Sequence, residues 1–233
     1  MADWFSLRGS SVADTAFHGV PEKTAPGLHR YMFDAFAGVV TKGARVLDLG
    51  SGAGAWALRL KENEYDVTAC DVSSKTCMVP CVEANLNEQF SSKFGSSQFD
   101  AITCLEVLEH VENPRHVLRE SRKLLKDGGK FILSTPNASG LYSRLKFFFT
   151  GRFTMFDDRD YHGSGHIRPL TYWEIGKILD ENGFRIERTL FYDVTPILPR
   201  TAGDAIKRLS WIFRPFMKGI VGTMITVVIA EKH

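Results

Sequence analysis

The chain alternates between two patterns of apolar and polar positions. Short, mainly apolar runs predict strands that are buried on both faces, whereas apolar residues recurring every three or four positions predict helices. The predicted strands are 46–49, 65–71, 80–84, 99–105, 130–136, 184–192 and 223–230. The predicted helices are 25–40, 55–63, a segment that begins at Pro114 and ends at Asp127-Gly128-Gly129, and 172–182, which follows a Thr171–Glu174 capping box.

Strands and helices that alternate in this way predict an α/β fold with a doubly wound, Rossmann-like sheet. We expect seven strands, mostly parallel, with an antiparallel last strand and a lid insertion. The whole chain, 1–233, is predicted to be one domain. Its parts are an N-terminal flap and helix (1–43), a cofactor-binding core (44–137), a lid (138–170) and a C-terminal part (171–233) with an insertion at 193–222.

The composition excludes several classes of protein. A net charge of +2 argues against a general nucleic-acid binder, and 44% hydrophobic residues allow a full core. The start of the sequence does not resemble a secretory signal, and no apolar run is long enough to cross a bilayer. We therefore expect a cytoplasmic protein whose four cysteines are reduced: Cys70, Cys77, Cys81 and Cys104.

The most informative segment is the glycine-rich turn after the first predicted core strand. Gly50, Gly52 and Gly54 let the chain turn sharply and let a ligand lie against its backbone. Asp71 ends the second strand, about 20 residues further on, where a carboxylate can accept two ribose hydroxyls. This arrangement predicts a site for an extended, nucleotide-like ligand.

When further sequence motifs are considered together with this turn, the chain resembles class I S-adenosylmethionine (SAM)-dependent methyltransferases. The matching text is VLDLGSGAG, the acid in TACD, ANLN, FDAITCLEVLEHVENP and LLKDGGKFILSTPN, in this order over residues 44–137. The resemblance implies SAM as the cofactor. The residues expected to bind it are Asp48, Gly50, Ser51, Gly52, Gly54, Asp71, Val72, Asn85, Leu86, Leu105 and Glu106.

The resemblance also suggests a role for each part of this site. The glycines approach the methionine part and the ribose, and Asp48 orients the loop or receives the amino group. Asp71 takes the ribose hydroxyls, Asn85 meets the adenine amine and Leu86 covers the adenine face.

A second cluster follows the fourth core strand. Glu106, Glu109 and His110 are spaced to share one face of a helical turn, and His166 precedes a predicted helix. The ubiquinone-biosynthesis O-methyltransferases and the small-RNA 2′-O-methyltransferases have similar patterns, which implies that these four residues bind Mg²⁺ or Mn²⁺. The predicted catalytic residues are Glu109, His110 and His166. Without a metal, Glu106 and Glu109 cap the helix, and His110 or His166 is the general base.

Two segments outside the core carry basic and aromatic residues together. Residues 138–170 follow the end of a strand, which predicts a lid over the acceptor. In 203–220, apolar residues fall on one helical face, which favours an ordinary packed helix or, alternatively, peripheral contact with a membrane.

The sequence therefore predicts methyl transfer to an oxygen of a small-molecule or lipid-linked acceptor. A quinol or catechol and a sugar hydroxyl are the two acceptors considered. An RNA 2′-O-methyltransferase is the alternative, because aromatic and basic side chains interleave in 142–168. A non-catalytic SAM-binding regulator and an NAD-dependent oxidoreductase are remoter alternatives; Gly50-x-Gly52-x-x-Ala55 also fits the dinucleotide pattern.

Overall fold

A computed structural model describes residues 15–193, 210–217 and 224–233, together with residues 206 and 222. The strands in these residues are β1 (Ala16–Phe17), β2 (Val20–Pro21), β3 (Arg45–Leu49), β4 (Asp66–Asp71), β5 (Cys81–Glu83), β6 (Phe99–Leu105), β7 (Leu125–Pro136), β8 (Phe184–Tyr192) and β9 (Ile225–Lys232). The helices are α1 (Leu28–Ala37), α2 (Ala55–Glu62), α3 (Pro114–Leu124), α4 (Leu141–Thr150), α5 (Asp158–Gly163) and α6 (Tyr172–Glu181). Short 3₁₀ turns span Ser74–Thr76, Phe90–Phe94 and Ser210–Phe216.

Seven of the strands form one sheet in the order β5-β4-β3-β6-β7-β9-β8. β9 runs antiparallel to both of its neighbours, and the pairs from β5 to β7 are parallel. The predicted α/β fold with an antiparallel last strand is therefore confirmed. The strand order reverses between β3 and β6, and open α/β sheets bind ligands at such a switch point.

The core lies on both faces of this sheet because successive side chains of a strand point in opposite directions. Val46 packs in one apolar cluster with Leu28, Met32 and Phe36 of α1. Leu47 packs in the other cluster, which includes Val117 and Leu118 of α3 among its members. Burial on both faces explains why these strands read as continuous apolar runs.

Several element boundaries differ from the sequence prediction. α1 begins at Leu28 rather than Ala25, after Gly27 in a left-handed conformation with φ of 78°. β7 begins at Leu125 rather than Lys130, because Leu125 pairs with Phe99 across an irregularity in the register. The segment Asp127-Gly128-Gly129 therefore lies within a strand, and α3 ends before it at Leu124.

The lid region contains two helices that the sequence did not predict. α4 ends at Gly151, and α5 begins with a capping box in which Asp157 and Asp160 exchange backbone-to-carboxylate hydrogen bonds. The capping box predicted for α6 is formed on one side, where Thr171 Oγ1 accepts from the Glu174 amide at 3.1 Å. Glu174 itself lies 3.9 Å from Arg115, so its carboxylate turns towards α3.

The strands β1 and β2 form a small hairpin that packs against α2. His18 and Gly19 both have positive φ, at 48° and 81°, as a tight hairpin turn requires. Arg59 of α2 holds the hairpin, with its guanidinium 4.1 Å from the Phe17 ring and 2.7 Å from Glu22. Most of the insertion 193–222 lies outside the described residues, and so does the part of the flap before residue 15.

Candidate active site

A cavity of about 900 Å³ opens at the carboxyl ends of the central strands. Its walls are completed by the lid residues Gly163, Ser164 and His166 and by residues before α1, namely Pro21, Lys23, Thr24, Ala25 and Pro26. It is lined by the predicted site residues Asp48, Gly50, Ser51, Gly52, Asp71, Val72, Asn85, Leu86, Leu105, Glu106, His110 and His166. The structure therefore brings together all the predicted cofactor residues except Gly54, together with both histidines.

The glycine loop is shaped by the strands that flank it. The amides of Gly50 and Ser51 donate to the Cys70 carbonyl at 2.8 and 2.9 Å, and the Gly52 amide donates to Asp71 Oδ2 at 2.8 Å. Gly50 has φ of 73°, and a Cβ there would lie 2.4 Å from Val107 Cγ2. Only glycine fits this position, so the loop keeps a bare backbone beside the cavity.

Gly54, the last glycine of the loop, is not among the residues that line the cavity. It is the left-handed N-cap of α2, and a Cβ there would meet Cys77 Sγ at 3.0 Å and Val79 at 3.1 Å. Gly54 therefore packs against the segment that precedes β5.

Asp48 is a buried carboxylate at the end of β3, with 2% of its surface exposed. Its Oδ1 accepts from Thr103 Oγ1 at 2.9 Å, and Trp56 in turn donates to Thr103 at 3.2 Å. Its Oδ2 has no hydrogen-bond partner. Burial raises the pKa of Asp48 to about 6 because the charged form loses its hydration. A cationic ligand group beside Oδ2 would satisfy this atom.

Asn85 and Leu86, the residues predicted to meet the adenine, lie in one wall of the cavity. The Asn85 side-chain amide donates to Glu88 at 3.0 Å, and its side-chain carbonyl accepts from the Asn87 backbone amide at 3.0 Å. The Asn85 side chain thus stabilises the turn that follows β5. Leu86 is buried at the same wall.

The helical turn predicted for Glu106–His110 is wrong. Glu106 adopts a left-handed φ of 54°, which is rare for a residue with a Cβ, and residues 106–110 form a turn instead of a helix. Glu106 Oε1 accepts from Ser134 Oγ at 2.8 Å. Its carboxylate is therefore directed to β7, and it does not belong to the group of ligand atoms that the other three residues form.

Glu109, His110 and His166 form a compact group whose ligand atoms lie within 4.8 Å of one another. His110 Nδ1 lies 3.0 Å from the Gly165 carbonyl, and His166 Nδ1 lies 2.8 Å from the Met155 carbonyl. These contacts orient both rings from the lid, and the ring centroids are 4.9 Å apart. The lid thus contains His166 and orients the ring of His110 through the Gly165 carbonyl.

Glu109 is the fully buried member of this group. Its Oε2 accepts from Thr135 at 3.0 Å, and its Oε1 has no hydrogen-bond partner. Burial and the nearby charge of Glu106 raise the pKa of Glu109 well above its usual range. Burial also raises the pKa of Glu106 to about 7 and lowers that of His110.

The wall from the N-terminal segment was not predicted from the sequence. It contributes Lys23 and His29, and Trp56 of α2 lies beside His29 with ring centroids 5.4 Å apart. His29 occupies the buried face of α1, where a histidine resembles an ordinary core residue. The only usable signal was that its helix directly precedes the strand with the glycine-rich turn.

A bare glycine loop, an acidic residue near the end of each of two adjacent strands and a seven-stranded sheet with an antiparallel β9 are the features of the class I methyltransferase fold. The site fits SAM because Gly50 places no side chain beside the cavity and because Asp48 Oδ2 lacks a hydrogen-bond donor. The profile of a methyltransferase domain family matches residues 18–189, and the chain belongs to that family.

The curated relatives are similar over only part of their length. A ubiquinone biosynthesis O-methyltransferase from Xanthomonas oryzae is 34% identical over 128 residues, which cover 50% of this chain and 54% of the relative. One from Erwinia tasmaniensis is 33% identical over 106 residues, covering 41% and 43%. The chain thus matches about half the length of these relatives.

Solved structures share the fold at low sequence identity. A SAM-dependent methyltransferase from Archaeoglobus fulgidus has a TM-score of 0.64 at 18% identity, covering 90% of this chain and 96% of that one. Magnesium protoporphyrin IX methyltransferase from Synechocystis, solved with bound S-adenosylhomocysteine, has a TM-score of 0.56 at 18% identity, covering 89% and 84%. Among the described helices, none has the length and apolar character needed to span a bilayer.

Proposed function

We propose that this protein transfers the methyl group of SAM to an oxygen atom of a small-molecule or lipid-linked acceptor. The observation that carries the proposal is the Glu109–His110–His166 group, which adjoins the cavity lined by the glycine loop. A hydroxyl acceptor must lose its proton, and this group offers imidazoles that accept one. Relatives named for ubiquinone biosynthesis favour a quinol or catechol acceptor over a sugar hydroxyl.

Bound SAM supplies a methyl group that its sulfonium already activates. The chain then has to hold the acceptor oxygen in line with the methyl group and to exclude water, which is mainly a matter of positioning. The lid residues Met155, Gly163 and Ser164 close the cavity over the loop side. Burial lowers the pKa of His110, so this imidazole is neutral near pH 7 and able to accept a proton.

A divalent cation is the second part of the proposal. Glu109, His110 and His166 would hold it, and two imidazoles with one carboxylate suit Mn²⁺ better than Mg²⁺, which prefers oxygen ligands. The unpartnered Oε1 of Glu109 supports this assignment, because a buried carboxylate oxygen lacks compensation without a donor or a cation. The cation would polarise the acceptor oxygen and lower its pKa.

A Mn²⁺ titration of the complex with S-adenosylhomocysteine tests the metal assignment. We expect saturable binding to the wild type and its loss in Glu109→Gln, with the affinity for S-adenosylhomocysteine unchanged. Glu112→Gln is the matched control because Glu112 is an exposed carboxylate that follows the same turn. Equal binding by both variants, or full activity in EDTA, would remove the metal and leave the histidines as bases.

An RNA acceptor remains the alternative, because aromatic side chains of α4 are exposed beside basic ones. Phe148 and Phe149 are each 79% exposed, which would suit stacking with unpaired bases. Binding of single-stranded RNA that weakens steeply with salt would favour this acceptor. Methylation of a catechol without any RNA affinity would favour the small molecule.

The same side chains suit peripheral contact with a membrane, which a lipid-linked acceptor requires. α4 adjoins the turn Ser210–Phe216, where Phe216 is 84% exposed, although much of 203–220 lies outside the described residues. Sedimentation with phosphatidylglycerol vesicles should fall in a Phe148→Ser/Phe149→Ser variant and persist in Trp173→Ser, whose exposed ring lies on α6. Equal sedimentation of both variants would exclude this surface.

A further inference from the structure

Two of the four cysteines lie together in the segment beside the glycine loop. Cys77 follows the 3₁₀ turn Ser74–Thr76, and Cys81 begins β5. Both side chains are partly exposed and pack against the same apolar cluster, and the two thiols are close enough to interact directly. Two neighbouring thiols that solvent reaches are the requirement for a disulfide formed by thiol exchange.

The other two cysteines are protected from the same chemistry. Cys70 and Cys104 are buried in the sheet, which keeps an oxidant away from both sulfur atoms. Burial also raises the pKa of both thiols, so the reactive thiolate is scarce. Exchange with a disulfide in solution is therefore confined to the pair Cys77 and Cys81.

Within the pair, Cys77 is the thiol that reacts first. Burial and, in addition, the neighbouring Cys77 side chain raise the pKa of Cys81 to about 12, so Cys81 keeps its proton at neutral pH. Once Cys77 is held in a mixed disulfide, it no longer opposes the ionisation of Cys81. Cys81 is then the thiol that resolves the mixed disulfide.

The segment that contains Cys77 contacts the glycine loop. The Met78 amide donates to the Ala53 carbonyl at 2.9 Å, and Cys77 Sγ would lie 3.0 Å from a Cβ on Gly54. Thr76, one residue earlier, lines the cavity. The turn before Cys77 contains no buried residue and Met78 is 72% exposed, so little packing holds this segment in place. A change at Cys77 therefore reaches the cavity.

Formation of an S–S bond would displace Cys77 more than Cys81. The bond is about 2.05 Å long, which is shorter than any contact between unbonded sulfur atoms, so the two residues must approach each other. Cys81 pairs with Ala69 in the ladder between β4 and β5, which anchors its backbone. Cys77 would thus be drawn towards β5, and its packing on Gly54 would be disturbed.

We propose that Cys77 and Cys81 form a reversible disulfide whose formation weakens the binding of SAM. The oxidant is a small disulfide of the oxidised-glutathione class. The Cys77 thiolate attacks one of its sulfur atoms and expels one thiolate; Cys81 then loses its proton to water, attacks Cys77 Sγ and expels the second. The two cysteines lose two protons and two electrons, and the oxidant becomes two thiols. The effect on affinity rests on the proposed use of SAM.

A titration with buffers of reduced and oxidised glutathione tests the site. Peptide mapping by mass spectrometry should find a Cys77–Cys81 link that dithiothreitol reverses, with Cys70 and Cys104 still unmodified. Cys81→Ser should stop at a mixed disulfide on Cys77, and Cys77→Ser should form no link. A missing link in the most oxidising buffer, or a link that includes Cys70 or Cys104, would overturn the inference.

Calorimetry with S-adenosylhomocysteine tests the consequence of oxidation. We expect its affinity to be about 5- to 100-fold lower for the oxidised than for the reduced wild type, the usual size of coupling between two sites. By linkage, bound S-adenosylhomocysteine should shift the midpoint of the glutathione titration by the same factor towards more oxidising buffers. Cys77→Ser is the control, and its affinity should be the same in both buffers.

The outcomes separate this inference from the proposed function. Equal affinities of the oxidised and reduced wild type would overturn the inference and leave the proposed function intact. Failure of the reduced wild type to bind S-adenosylhomocysteine would overturn the proposed function and the effect on affinity, while the peptide map still decides whether the disulfide forms.

Discussion

At the scale of single residues, three carboxyl groups dominate the electrostatics of the site. Asp48 and Glu109 are buried and Glu106 is partly buried, and the loss of hydration raises the pKa of all three. Groups with a raised pKa hold protons in the folded state at pH values where the unfolded chain has lost them. The ligand-free protein is therefore destabilised as the pH rises through the range between the two pKa values.

Asp48→Asn should reduce this pH dependence. The pKa of Asp48 is about 6 in the folded protein against 3.8 for the free side chain. The free energy of unfolding that Asp48 contributes therefore decreases between about pH 4 and pH 6 and is constant above pH 6. The shift corresponds to about 3 kcal/mol. Urea unfolding between pH 4 and pH 7 measures it; an equally steep loss in Asp48→Asn would contradict the assignment.

Asp71→Ala should weaken the binding of S-adenosylhomocysteine by about 1–3 kcal/mol, the range for a charge-assisted hydrogen bond. Asp71 also holds the loop through the Gly52 amide at 2.8 Å, which adds to the effect. Asp66→Ala is the matched control at the other end of β4, where the carboxylate is 69% exposed. Calorimetric affinities that are equal for both variants would remove Asp71 from the site.

The sequence predicted some of these residues and missed others for identifiable reasons. Asp48 and Asp71 follow from strand ends, whose positions periodicity predicts well. The placement of Glu106 failed because helical spacing assumes regular φ, whereas this residue takes a positive one. His29 was missed because its partner Glu22 lies in the hairpin segment, and sequence spacing contains no information on that contact.

At the scale of elements, α5 links the lid to the histidine pair. The Asp160 carbonyl at its end accepts from the amides of Ser164, Gly165 and His166 at 2.9, 3.0 and 3.3 Å. The amides of Ile167 and Arg168 then donate to the Glu109 carbonyl at 3.0 and 3.2 Å. A six-residue helix therefore positions His166, and its stability depends on its cap.

Asp157→Ala should loosen this connection at a cost of about 1 kcal/mol, the usual value of an N-cap. We expect faster amide exchange across 158–166 and weaker Mn²⁺ binding, with the affinity for S-adenosylhomocysteine unchanged. Asp158→Ala serves as the control because that side chain is 80% exposed and contacts only the Arg152 side chain among the ion pairs of the described residues. A parallel loss of cofactor affinity would mean that the lid supports the loop as well.

Elements with regular periodicity were predicted within a few residues, and the irregular ones were not. α6 and β6 have the predicted patterns because β6 is a central strand of the sheet and α6 packs its apolar face into the core. The lid helices α4 and α5 were missed since their apolar residues remain largely exposed and do not define a buried face. The extension of β7 across Gly128 depends on pairing with β6. Local sequence patterns contain no information on this contact.

At the scale of the whole molecule, the contacts of Glu22 join the segment after the β1–β2 hairpin to α1 and α2. The Glu22 side chain is 2% exposed and contacts Arg59 of α2 and His29 of α1. The hairpin thereby becomes a wall of the cavity. Stability of the fold and the shape of the site are therefore coupled through this contact.

Arg59→Met should lower the free energy of unfolding by about 3 kcal/mol, because it leaves a buried carboxylate with a single partner. Adding Glu22→Gln to this variant should restore part of the loss, since a neutral amide costs less to bury. Urea denaturation of the three proteins gives the comparison. A loss below about 1 kcal/mol would place the pair among ordinary surface ion pairs.

The position of β9 between β7 and β8 has a consequence for synthesis on the ribosome. Among the described strands, β8 pairs with β9 alone; β8 is complete at Tyr192, whereas β9 ends at Lys232. At about 5–20 residues per second, roughly 2–8 s pass before β9 is available to pair with β8. During this interval the nascent chain carries an open strand that can pair with other chains, so slow translation across 193–224 would increase the demand for chaperones.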